Sequence, residues 1–119
     1  MNQKNNFKVM INDHEWTIKF VEKEEDSRLT SSMDGGTVFG TFEMLVLKEL
    51  PPKTKKLVLM HELTHAYLCS QGRGCHKSLS AEDVCEFVAY CSNSIIEKAD
   101  YIISEHLKEE AEDNLNVVK

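Results

Sequence analysis

His61-Glu62-Leu63-Thr64-His65 sets two imidazoles four residues apart, with a carboxylate next to the first. On a helix, side chains at i and i+4 lie one above the other. Two neutral imidazoles placed that way can converge on one metal ion, and nitrogen donors of this kind suit Zn2+. Glu62 is then within reach of a water that the metal acidifies, and its carboxylate can take the proton. The five residues form the H-E-x-x-H pattern of zinc-dependent hydrolysis, whose meaning depends on their falling inside a helix. A catalytic zinc site normally has three protein ligands and one open position. Glu82 and Glu86, four apart in the next helical segment, are the candidates for the third ligand; Cys75 and His76 in the intervening loop are the rivals. A carboxylate on a crossing helix reaches the metal more simply than a loop residue that must fold back. Spacing does not separate the two glutamates. One can ligate while the other orients a histidine, a role that metal-bound histidines usually require. Glu82 also has an ordinary explanation, as a first-turn acid answering the helix dipole.

Peptide hydrolysis needs a donor for the developing oxyanion. Tyr90 lies eight residues after Glu82, on nearly the same helix face. Tyr67 and His76 are nearer the metal in sequence, but Tyr67 reads as core and His76 as a loop residue. His14, in a turn, and His106, late in a helix, read as solvent-facing. The gaps Cys69 to Cys75 and Cys85 to Cys91 are wider than the two to four residues usual between paired cysteines of structural zinc sites, so these read as thiols.

The elements that must hold these groups follow from pattern. Pro51-Pro52 stops a strand, and Pro52 suits the first turn of a helix. The metal helix is therefore expected over 52–71, ended by Gly72 and Gly74. Val58, Leu59, Leu63, Ala66 and Tyr67 suit a helix buried along most of its length, with only the metal face open. Ser80 reads as an N-cap, with Asp83 three positions on as an acidic capping box. Val84, Phe87, Val88, Cys91, Ile95 and Ile96, then Ala99, Ile102, Ile103 and Leu107, recur at helical spacing. They predict helix over 80–112, either unbroken or broken near 92–94, with fraying ends. Upstream, Phe7–Ile11 and Trp16–Val21 predict a hairpin around Asn12-Asp13-His14-Glu15. The charged run 22–26 and the stretch Ser31–Gly36 read as loops. Residues 37–50 are β-rich, and Met44–Leu47 is the clearest strand. Met44–Lys48, just before the metal helix, is expected to be a sheet edge that an extended peptide could join. Residues 1–50 are thus mainly β and the rest helical. That order is α+β, a small antiparallel or mixed N-terminal sheet followed by the H-E-x-x-H helix and a second long helix.

Leu45-Val46-Leu47, Leu50-Pro51-Pro52 and the run Leu57-Val58-Leu59-Met60-His61-Glu62-Leu63-Thr64-His65-Ala66-Tyr67-Leu68 resemble the small gluzincin-type metallopeptidases of the ImmA/IrrE family. The resemblance covers roughly residues 37–97. It implies a minimal zincin-like fold in one domain, 1–119. It also implies a zinc-ligating Glu on the following helix, typically in a Glu-x-x-Ala/Cys-Asn pattern. Glu82-Asp83-Val84-Cys85-Glu86 matches that pattern, with Glu82 at the ligand position and Glu86 where Asn or Asp is usual. Glu82 is thereby favoured as ligand and Glu86 as the residue supporting a histidine. Such proteins occur on phages, prophages and mobile elements and in stress responses. The implied activity is cleavage of a cytosolic regulatory protein such as a repressor. The chain has no helix-turn-helix segment, so a partner repressor would be a separate chain.

Bulk properties bound this reading. The chain has 119 residues, 41% hydrophobic and 29% charged, a size and balance that fit one globular domain. Fourteen basic against 20 acidic residues give a net charge of −6. That disfavours nucleic acid and anionic membrane as partners, since both attract basic surfaces. The N-terminal stretch has no apolar signal region, so a cytoplasmic protein with four reduced cysteines is expected. Three functions fit: a zinc endopeptidase acting on a protein or peptide, a catalytically silent zinc-stabilised module that binds a partner, and a metal-free protein with a fortuitous motif.

Overall fold

Asn12 and Asp13 both take positive φ, 47° and 74°. That is the geometry of a two-residue primed turn, which matches the twist of an antiparallel pair. It joins β1 (Asn6–Ile11) to β2 (His14–Val21), with Ile11 opposite His14. His14 therefore opens a strand rather than sitting in the turn. It is exposed, as expected, and stacks on Phe42 at 4.9 Å. The computed structural model describes residues 5–71 and 78–118. Gly72, Gly74, Cys75 and His76 lie outside the described residues.

β3 (Gly35–Val38) and β4 (Glu43–Leu47) form a second antiparallel pair, and β4 lies parallel to β2, with Ile18 opposite Met44 and Phe20 opposite Val46. The strand order is β1-β2-β4-β3, a mixed sheet. Two expectations are corrected here. Met44–Lys48 is not a sheet edge, because β4 is paired on both sides; the edge is β3. Gly35 and Gly36 are not loop but strand, and the extended run that starts there ends at Val38 before a turn over 39–42. Glycine-rich composition concealed a strand whose backbone lies against a helix.

Placing β4 inside the sheet explains why Met44, Leu45 and Val46 are all buried. Met44 and Val46 join Ile18 and Phe20 in the main core, while Leu45 packs with Val21 and Leu29 on the opposite face. The crossover 22–34 covers that face. Arg28 pins it through Asp26 and Glu43, and Lys19 adds a 2.6 Å ion pair to Glu43.

The helices are α1 (Pro52–Ser70) and α2 (Ala81–Val118). Pro52 occupies the first turn of α1 as its missing N–H predicts. Leu59, Leu63 and Ala66 are fully buried against the sheet. Ser80 and Asp83 cap α2 reciprocally, each backbone N–H donating to the other's side chain at 3.0 Å. α2 is one unbroken helix of 38 residues that runs past the expected end at 112. Cys91, Ile95, Ala99, Ile102 and Ile103 are its buried stripe.

His106 continues that stripe and is fully buried, not solvent-facing. Its ring stacks on Phe20 at 3.8 Å and 6°, and Lys55 Nζ lies 2.8 Å from its Nε2. Position 106 follows 99, 102 and 103 at core spacing, so geometry overrides the polarity of the residue. No helix among the described residues is long and apolar enough to cross a membrane.

Candidate functional site

α1 is anchored through Leu59, Leu63, Ala66 and Tyr67, which recur at 4, 3 and 1 residue intervals and bury one face. His61 and His65 lie on the neighbouring face, one turn apart. His61 is exposed and His65 half-buried, and their ring centroids are 4.9 Å apart at 76°. The H-E-x-x-H sequence is thus helical throughout, with its two imidazoles adjacent.

Glu62, next to His61, reaches β3 and lines one hollow with His61. It is only 6% exposed. Thr37 Oγ1 donates to its Oε1 at 2.5 Å. At Gly35 the backbone lies close to α1: a Cβ there would come within 2.5 Å of Val58 Cγ1, 3.0 Å of the Leu45 carbonyl and 3.3 Å of Glu62 Oε2. Distances below 3.0 Å are not tolerated, so only glycine lets the edge strand sit this near the helix. Between them β3 and α1 border an open, shallow cleft of about 340 Å3, lined by Asp34, Gly35, Leu57, Val58, His61 and Glu62.

Glu82 and Glu86 stand on the first two turns of α2, and both are exposed. Residues 81–90 bury no side chain fully; α2 is first buried at Cys91. Among the described residues no three His, Cys, Asp or Glu side chains gather into a group that could hold a metal ion. The structure therefore brings His61 and His65 together beside Glu62, and leaves Glu82 and Glu86 outside that group. Tyr90 is 82% exposed and lines a separate hollow of about 320 Å3 with Gln71, Glu86 and Phe87. Tyr67 is core, as expected. A largely apolar groove of about 370 Å3 runs between the helices, past Met60, Thr64, Leu68, Val84 and Val88.

Cys69, Cys85 and Cys91 are free thiols; Cys91 is buried and accepts a hydrogen bond from Gln71 Nε2 at 3.1 Å. The donor set at the motif fits a zinc ion in two positions, since two neutral imidazoles from adjacent turns are nitrogen ligands of the right kind. Sequence reasoning missed Asp34, Gly35 and Thr37. The available signal was a Gly-Gly pair directly before β-branched residues, because glycine within a strand marks close backbone approach. No family model matches the chain, and neither a curated protein nor a solved structure matches it.

Proposed function

We propose that this chain is a zinc-dependent endopeptidase of the ImmA/IrrE kind, acting in the cytoplasm on a regulatory, repressor-like protein. One observation carries the reading: His61 and His65 stand 4.9 Å apart on adjacent turns, and Glu62 between them lines a cleft beside the sheet edge. His61 and His65 would hold Zn2+; Glu82 as the third ligand and Glu86 as support for a histidine would require the exposed first turns of α2 to close on them. Bound there, the ion would polarise the scissile carbonyl and acidify the attacking water. Glu62 takes a proton from that water as its oxygen bonds to the carbonyl carbon. It returns the proton to the amide nitrogen as the C–N bond breaks. Tyr90, which lines a separate hollow, would serve as donor to the oxyanion only if the first turns of α2 closed on α1. β3 offers its unpaired side to an extended peptide, which would be aligned by strand addition. The net charge of −6 supports a protein rather than a nucleic-acid or membrane partner.

A second reading is a zinc-stabilised module that binds a partner without cutting it. It draws on the burial of Glu62 and its bond to Thr37, which a purely structural glutamate would share. One set of measurements separates the two. Zinc per chain is determined for wild type, Glu82→Ala and Glu62→Gln, and each is incubated with a peptide library from digested cellular protein, products being read by mass spectrometry. The peptidase reading expects one zinc per wild-type chain, weakened in Glu82→Ala. It expects cleavage lowered about 10²- to 10⁴-fold in Glu62→Gln with zinc retained. Zinc binding without cleavage by any of the three favours the module, and no zinc in metal-replete wild type removes both.

A further inference from the structure

Resting on the peptidase reading, we infer that Thr37 is a positioning residue for Glu62: its hydroxyl holds Oε1 so that Oε2 is the oxygen presented to the cleft. A carboxylate that is 6% exposed has lost most of its water and needs a donor in the protein. Thr37 Oγ1 lies 2.5 Å from Oε1 and 3.4 Å from the Glu62 carbonyl, so its single proton goes to the carboxylate.

The other oxygen is treated differently. Oε2 lies 3.3 Å from the point where a Cβ on Gly35 would stand. The glycine lets β3 lie close beside that oxygen, and Glu62 lines the hollow it shares with Asp34 and His61. Oε1 is the oxygen anchored by Thr37, and Oε2 is the one not bonded to that hydroxyl. A general base must sit within about 2.6–3.2 Å of the proton it takes. Fixing one oxygen removes the side-chain rotation that would spoil this distance. Both contacts come from β3, so the strand proposed to align a peptide also sets the base that acts on it.

Thr37→Val removes the hydroxyl and keeps the β-branched shape; Thr37→Ser keeps the hydroxyl. The first readout needs neither metal nor substrate: the 13C resonance of the Glu62 carboxyl carbon, assigned with Glu62→Gln. It is expected to move toward that of an exposed glutamate in Thr37→Val and to stay in place in Thr37→Ser. The second uses zinc-loaded protein and one peptide cleaved from the library. Thr37→Val is expected to lower kcat about 10- to 100-fold, with KM and zinc content unchanged, and Thr37→Ser to restore it. An unmoved resonance in Thr37→Val, or an unchanged kcat, overturns the assignment. If wild type and Glu62→Gln are equally inert, the peptidase reading falls, and the resonance alone decides whether Thr37 holds Glu62.

Discussion

His106 is the residue at which polarity and position disagree most. Burial holds its pKa down to about 4 from the ordinary 6.5; the Lys55 ammonium and, more remotely, Lys48 push the same way, and Glu110 opposes them. Lys55 donates to Nε2, so the ring proton sits on Nδ1, which has no hydrogen-bond partner. Between pH 6.5 and about 4 the unfolded chain binds a proton that the folded chain refuses. Stability is therefore full above that window and falls with acid through it. His106→Gln keeps an acceptor for Lys55 and removes the titration. Its urea midpoint is expected to be nearly flat from pH 6.5 to 4.5 where the wild-type midpoint declines; equal slopes would refute this assignment. Asp26 and Glu43 act in a lower window. Hydrogen bonds from Arg28 hold Asp26 to about 2, and those from Lys19 and Arg28 hold Glu43 to about 2, so their contribution is lost below about pH 4.5. At this scale the sequence was readable where a residue's placement depends on near neighbours, as with the adjacency of His61 and His65 on one helix or the capping pair Ser80 and Asp83. It was unreadable for His106, whose surroundings of Phe20 and Lys55 lie more than 50 positions away.

The elements themselves were legible wherever period and caps agreed. Pro52, the Ser80 and Asp83 pair and the apolar stripe of α2 each announced a boundary or a face, and both helices start where those signals place them. β3 was the exception, because two of its four residues are glycines and strand propensity weighs side chains. Its membership in the sheet comes from a tertiary contact that no local pattern reports. The strand's closeness to α1 gives a direct expectation. Gly35→Ala would drive a methyl against Val58 and lift β3 from the helix, at a cost of about 1–3 kcal/mol in urea unfolding. Val58→Ala in the same chain should recover part of it, since Val58 Cγ1 is the nearest obstacle. A Gly35→Ala variant as stable as wild type would mean that the strand is held elsewhere. Glu82 is the matching case on α2. Its place in the first turn of a helix was legible, but where that turn lies relative to the histidines depends on how α2 packs, and α2 buries its first side chain only at Cys91.

The order of strands in the whole molecule was not legible, because a parallel pair can be joined by any sufficiently long crossover. Here β2 and β4 pair across the 22–42 segment, which places β4 between the hairpin and the edge. The hairpin and both helices are made of local contacts, whereas that pairing joins segments more than twenty residues apart, which raises the loop-closure cost of forming it. The consequence falls on β3. It is a four-residue strand paired on one side only, yet it supplies one wall of the cleft and the bond to Glu62. Short edge strands open by local fluctuation at less free energy than the core they border. Amide hydrogen exchange at Gly36 and Val38 should accordingly outpace that at Ile18 and Phe20, and any activity should vanish at a urea concentration below the global midpoint. Coincident loss of activity and far-ultraviolet signal would contradict this. With the edge opening first, the chain possesses two tolerances rather than one: a durable scaffold that survives mild stress, and a wall that dissolves first and re-forms when the stress passes.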